Sequence, residues 1–205
     1  MYKLVIVGTV IAYAAATSIN HEIVKTVRRT TSLWTTHDPE TNPLAGKTLE
    51  ELKALCGTYM EASNEPENYT SPVEYSALPA NFDARTQWGN CVHPIRDQKQ
   101  CGSCWAFGAS EALSDRFCIA SKGAVNVILS PEDMVSCDRN DFGCEGGYIN
   151  KAWDYLTATG VVADSCFPYT AGSGKAPACA AKCTNGAAFK KYKCKSGSVV
   201  HPMTP

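Results

Sequence analysis

The chain has 205 residues, 44% hydrophobic and 19% charged, with 19 basic against 20 acidic side chains. That apolar fraction supports a packed core and excludes wholesale disorder, and the near-neutral balance lacks the basic excess that nucleic-acid binding needs. Eleven cysteines fit an oxidising compartment better than the cytosol, and their odd number leaves at least one unpaired.

Met1-Tyr2-Lys3 gives a short basic start, followed by an apolar run from Leu4 that ends in Ala12-Tyr13-Ala14-Ala15-Ala16. Residues 1–16 therefore read as a cleaved secretory signal, the run being shorter than the roughly 20 residues of a membrane span. Residues 17–77 carry 5 basic and 9 acidic side chains and read as an acidic pro-segment with a linker. Within it, Thr48 and Glu51 form a capping box ahead of an apolar stripe of Leu49, Leu52, Cys56 and Tyr59. Pro66, Pro72 and Pro79 make residues 64–79 an extended linker, and Asn68-Tyr69-Thr70 inside it is a glycosylation sequon. Residues 78–205 form a body with 13 basic and 11 acidic residues, and nine of the cysteines fall between Cys91 and Cys183.

Three helices are predicted in that body. One starts near Cys104, with Ala109, Ala112, Leu113, Arg116 and Phe117 continuing one face. The second opens at Ser130-Pro131-Glu132-Asp133, a good N-cap before proline and first-turn acids. The third runs from Tyr148 to Thr159 with Ile149, Ala152, Trp153 and Leu156 at helical spacing, and Gly160 stops it. The Gly-, Pro- and Cys-rich remainder points to loops pinned by disulfides rather than regular sheet. His93 is expected as a loop surface residue, and Lys190, Lys191, Lys193 and Lys195 as a solvated run.

The chemistry concentrates at Gln98-Lys99-Gln100-Cys101-Gly102-Ser103-Cys104-Trp105. A thiol attacks as its thiolate, and a helix N-terminus favours that anion. Gly102 and Ser103 let backbone amides approach a developing oxyanion, and Gln98 can add a side-chain amide. Three other readings use the same residues: a redox pair at Cys101 and Cys104, a zinc site shared with Cys179 and Cys183, or two structural cysteines.

Cys101-Gly102-Ser103-Cys104-Trp105 resembles the active-site signature of the papain family of cysteine proteases. Further motifs are similar to that family: Leu78 to Arg85 at a mature N-terminus, Ile95-Arg96-Asp97-Gln98, and Gly143-Cys144-Glu145-Gly146-Gly147-Tyr148. Trp88 to Cys91, Ser114-Asp115-Arg116, Cys118 and Leu55-Cys56-Gly57-Thr58 resemble its cathepsin B branch. The resemblance implies an α+β papain-like fold, mainly its helical left domain over 78–205, without the β-barrel right domain. It implies Cys104 as nucleophile, and Gln98 with the Cys104 amide as oxyanion hole. Trp105 would wall the cleft, Gly146 and Gly147 would pair with substrate backbone, and Tyr148 would wall a specificity pocket. Glu145, at a position where relatives commonly carry Asn, is expected to favour basic side chains nearby.

The resemblance also implies the bridges Cys91–Cys118, Cys101–Cys144, Cys137–Cys179 and Cys166–Cys183, leaving Cys56, Cys104 and Cys194. Cys56 is expected as a small apolar residue on its helix. The implied partners are peptide or protein substrates, the pro-segment as an inhibitor, and cystatin-like inhibitors. No nucleic acid, metal, cofactor or membrane after signal removal is implied. The implied place is the secretory pathway, in a lysosome-like vesicle or outside the cell. Two departures stand out. Residues 170–177 replace the branch's histidine-bearing occluding loop without a histidine, which points to an endopeptidase. The catalytic His and Asn expected about 130–150 residues beyond the cysteine are absent, His201 being the one histidine downstream of Cys104. The expectation is a partial precursor sequence, inactive alone; the alternative is a short product acting as an inhibitor or binding module.

Overall fold

The computed structural model describes residues 21–60 and 78–199. The expected signal over 1–16, most of the linker, Asn68 and His201 lie outside them. The chain divides into two compact units, Met1–Lys53 and Ala54–Pro205.

In the first unit residues 21–30 are helical (α1). The Lys25–Glu22 pair on it, at 2.7 Å, is well exposed and adds little stability. Arg28 Nε donates to Thr36 Oγ1 at 3.0 Å and ties the helix to the loop that follows. The capping box forms: Thr48 N–H donates to Glu51 Oε2 at 2.7 Å, and Glu51 N–H donates back to Thr48 Oγ1 at 3.2 Å. It opens α2, Leu49–Leu55. The helix ends there, so the predicted stripe through Cys56 and Tyr59 does not form. Cys56 is exposed beyond the helix, and Thr58–Tyr59 is a strand, β1. Main-chain pairing with a distant segment draws these residues out of helical geometry, and local periodicity carries no trace of such a partner.

The second unit is built on α4, Cys104–Ala120. Short α3, Ala84–Trp88, precedes it, with Asp83 as N-cap. Trp105, Ala106, Ala109 and Leu113 of α4 join a core with Met134 and Val135 of α5 (Pro131–Cys137) and Ala152, Tyr155 and Leu156 of α6 (Ile149–Ala158). At the start of α5, Ser130 Oγ accepts from Asp133 N–H at 3.0 Å and donates to Phe167 O at 2.6 Å. The one sheet among the described residues has two strands. β1 runs parallel to β2 (Gly147–Tyr148), with Thr58 opposite Gly147 and Tyr59 opposite Tyr148. Four disulfides, Cys91–Cys118, Cys101–Cys144, Cys137–Cys179 and Cys166–Cys183, pin the loops. Each stabilises by about 2–4 kcal/mol through the unfolded chain.

Two buried carboxylates organise the loops around α5. Glu132 accepts from Thr170 N–H and from Ala171 N–H at 2.9 Å, fixing the segment after Cys166. Asp133, 1% exposed, accepts from Val162 N–H at 2.8 Å and Tyr155 Oη at 3.1 Å, and pairs with Lys191 Nζ at 2.6 Å. The lysine run is therefore not simply solvated. Lys191 neutralises a buried acid, and Lys193 Nζ donates to Ala158 O at 2.8 Å. The ammonium groups close the end of α6, where carbonyls lack helical partners.

Candidate active site

Cys104 is the first residue of α4, and the loop that delivers it is tied down on three sides. The Cys101–Cys144 disulfide joins it to the turn 143–145, and Gly102 N–H donates to Cys144 O at 2.9 Å. Trp105 Nε1 donates to Gly143 O at 3.1 Å, so the helix start and the cleft wall move as one piece. On the other side Tyr169 Oη donates to Gln98 O at 2.9 Å and lies 2.9 Å from Ser103 Oγ, which then donates to the tyrosine. Upstream, Arg96 spans Glu111 at 3.1 Å and Asp164 at 2.7 Å, with its guanidinium over the Phe107 ring. Gln98 and Cys104 are thus held from both ends by groups that a linear motif does not include.

The cleft in front of Cys104 is occupied by the chain itself. Gln98 Nε2 donates to Leu55 O at 2.7 Å, and Gly147 N–H donates to Gly57 O at 2.8 Å. Thr58 Oγ1 lies 3.1 Å from Cys104 Sγ. Contact is so close at Gly57 that a Cβ there would come within 1.8 Å of Gly102 O. Only glycine allows this approach, since any side chain would push the backbones apart. Among the described residues, those entering the cleft are Leu55 to Tyr59.

Below β2 lies a pair of carboxyls that sequence reasoning missed. Asp141 Oδ1 accepts from Tyr148 N–H at 2.7 Å, fixing the strand that Gly57 pairs with. Asp141 and Asp138 are 6% and 5% exposed, and neither Oδ2 finds a donor. Burial, against the pull of the Tyr148 N–H, pushes the Asp141 carboxyl up to about 6, and the Asp138 charge adds to the rise. Its only sequence signal is an acid seven residues before a cleft tyrosine, in a glycine-rich turn.

Among the other predicted residues, Gly146 and Gly147 are buried and Tyr148 is half-buried, while Glu145 is exposed and its main-chain oxygen accepts from Tyr59 Oη at 2.5 Å. His93 is not the surface residue expected: its ring is 7% exposed, with Nδ1 2.6 Å from Asp115 and Nε2 2.7 Å from Asn126. Burial alone would lower its pKa, but the hydrogen bonds to Asn126 and Asp115 and the Asp115 charge together raise it. Asp115 stands eleven residues beyond Cys104 on α4, about 16 Å along the helix, so this imidazole serves the scaffold. Cys194 lies outside any disulfide, and burial raises its thiol pKa; its N–H donates to Leu156 O at 3.0 Å. Among the described residues no group of three His, Cys, Asp or Glu side chains could hold a metal ion.

Residues 78–202 match the model of the papain family of cysteine proteases. Over 193 residues the chain is 42% identical to the cathepsin B-like cysteine proteinase 4 of Caenorhabditis elegans, covering 80% of this chain and 56% of that protein. It is 41% identical over 155 residues to the gut-specific cysteine proteinase of the same organism, covering 66% and 47%. Among solved structures, procathepsin B S9 from Trypanosoma congolense superposes with a TM-score of 0.69 at 27% identity, covering 84% of this chain and 61% of that one. The chain spans about half the length of the curated relatives it matches.

Proposed function

Because the chain belongs to the papain family of cysteine proteases, we propose that it carries the nucleophilic half of a cathepsin B-like endopeptidase precursor, with Leu55 to Tyr59 holding the cleft shut. The observation that carries this is the placement of Thr58 Oγ1 3.1 Å from Cys104 Sγ while Leu55 O takes the Gln98 amide. The segment uses the donor that a substrate oxygen would need. To the sulfur it presents a hydroxyl, which has no peptide carbon to attack.

With the segment displaced, the Cys104 thiolate adds to a peptide carbonyl carbon. The oxygen that gains the charge faces Gln98 Nε2 and the Cys104 N–H, donors fixed before the reaction begins. Collapse expels the amine and leaves a thioester, which water hydrolyses to the acid, restoring the thiol. The departing amine needs a proton. Among the described residues no histidine bonds to Cys104, and His93 is committed to Asp115 and Asn126. The 205 residues alone are therefore expected to accept an acyl group but not to turn over peptides. The loop 170–177, anchored through Thr170 and Ala171 to Glu132, lacks a histidine to hold a substrate carboxylate, which favours endopeptidase over exopeptidase action. The signal-like start and four disulfides favour a secretory or lysosomal route.

An activated ester tests the nucleophile without needing an acid for its leaving group. The full chain carrying Gly57→Ala, to open the cleft, is treated with a blocked peptide p-nitrophenyl ester and mapped by mass spectrometry. The expected result is one acyl group, on Cys104, absent after Cys104→Ala and formed about 10²-fold more slowly after Gln98→Ala. Acylation of Cys56 and Cys194 at the same rate as Cys104 would overturn the assignment.

A further inference from the structure

Tyr169 touches the chain at both places that supply an oxyanion donor. Its Oη donates to Gln98 O at 2.9 Å and lies 2.9 Å from Ser103 Oγ. A phenol has one proton and a carbonyl can only accept, so that proton goes to Gln98 and the Ser103 hydroxyl donates to the tyrosine. One bond fixes the residue whose side chain carries Nε2. The other fixes the residue immediately before Cys104, whose N–H is the second donor.

The serine is the less expected partner. Ser103 is the N-cap of α4 and is fully buried, at a position where serine ordinarily accepts from an amide of the first turn. Its side chain makes no such bond here. Its main-chain oxygen takes Ala106 N–H at 2.9 Å and Phe107 N–H at 3.1 Å, while its hydroxyl is turned to Tyr169. The amides that open a helix lack helical partners and favour negative charge. Holding the hydroxyl away leaves them to the Cys104 thiolate and the oxyanion.

The tyrosine is itself held by two neighbouring helices. Its ring meets Phe107 of α4 edge-on, with centroids 4.7 Å apart. The two residues after it, Thr170 and Ala171, give their N–H groups to the buried Glu132 of α5. Burial raises the pKa of its phenol, which therefore keeps its proton through neutral pH.

We propose that Tyr169 is a positioning residue of the oxyanion site, its hydroxyl setting Gln98 and the start of α4 in one register and keeping the Ser103 hydroxyl off the amides beside Cys104. The inference rests on the reading that Gln98 Nε2 and the Cys104 N–H face the oxyanion, and it names the group that aligns them.

The test uses the full chain carrying Gly57→Ala, with acylation of Cys104 by the peptide p-nitrophenyl ester measured beside its alkylation by iodoacetamide. Both rates are followed against pH and compared at the plateau where the thiol is fully ionised. Acylation develops an oxyanion and alkylation does not, so the pair separates alignment of the donors from access to the sulfur. Tyr169→Phe, which keeps the ring against Phe107, is expected to slow acylation about tenfold and to change alkylation less than about twofold. In a Gln98→Ala chain the same substitution should slow acylation less than about threefold, since one of the two donors it aligns is already gone. Acylation within about twofold of the parent, an equal slowing of both reactions, or a full tenfold loss in the Gln98→Ala chain would overturn the inference. A Gln98→Ala chain that acylates as fast as its parent would overturn the oxyanion reading as well. Slow acylation in Gln98→Ala beside fast acylation in Tyr169→Phe would overturn this inference alone.

Discussion

At the scale of single residues, Asp141 couples the cleft to pH. Its carboxyl holds Tyr148 N–H at 2.7 Å, so whatever loosens Asp141 loosens β2. An ordinary Asp has a pKa near 3.9 when unfolded, and burial lifts this one to about 6. The folded chain therefore binds the extra proton between these values. The stability this proton contributes is complete below about 4 and lost as pH rises through about 6. Asp141→Asn keeps an acceptor for Tyr148 and removes the charge. Its melting temperature is expected to rise relative to the parent chain between pH 4 and pH 7, by the equivalent of roughly 2 kcal/mol, as read by calorimetry across that range. A constant difference across the range would contradict the account. His93 acts in the same sense: its raised pKa means that its contribution is present below about 6.5 and lost as pH rises through the folded value.

At the scale of elements, what was legible in the sequence was local. Thr48 with Glu51 and Ser130 with Pro131 are helix starts because the capping groups sit within three residues of the amides they satisfy, and both caps form. Gly160, with φ of 76°, ends α6 for an equally local reason. The α+β papain-like class followed from several short motifs that each describe a turn or a helix start. What failed was long-range. Nothing near Cys56 announces that Gly57 will press against Gly102, so an apolar spacing of three and four residues was read as helix where β1 forms. His93 was misread in the same way, since its partners Asp115 and Asn126 lie 22 and 33 residues away. Tyr169, which holds both Gln98 and Ser103, carries no signal in the motif it supports.

At the scale of the molecule, loops predominate in the second unit, and their order comes from disulfides and from two buried acids. The Asp133–Lys191 pair joins α5 to residues near the end of the described chain. Lys191→Met would strand a carboxylate that is 1% exposed, at a cost of about 3–5 kcal/mol, measured as a shift of the urea midpoint. A change below about 1 kcal/mol would mean that the acid finds another partner or a proton. The same molecule holds its own cleft closed, and the narrowest point of that closure is Gly57 against Gly102. Overpacking of that kind costs about 1–3 kcal/mol, enough to open the segment by roughly tenfold. The most direct measurement is the rate at which an activated peptide ester acylates Cys104 in the parent chain and in Gly57→Ala. The account predicts at least about a tenfold faster reaction in the variant, confined to Cys104. Equal rates in the two chains would contradict it.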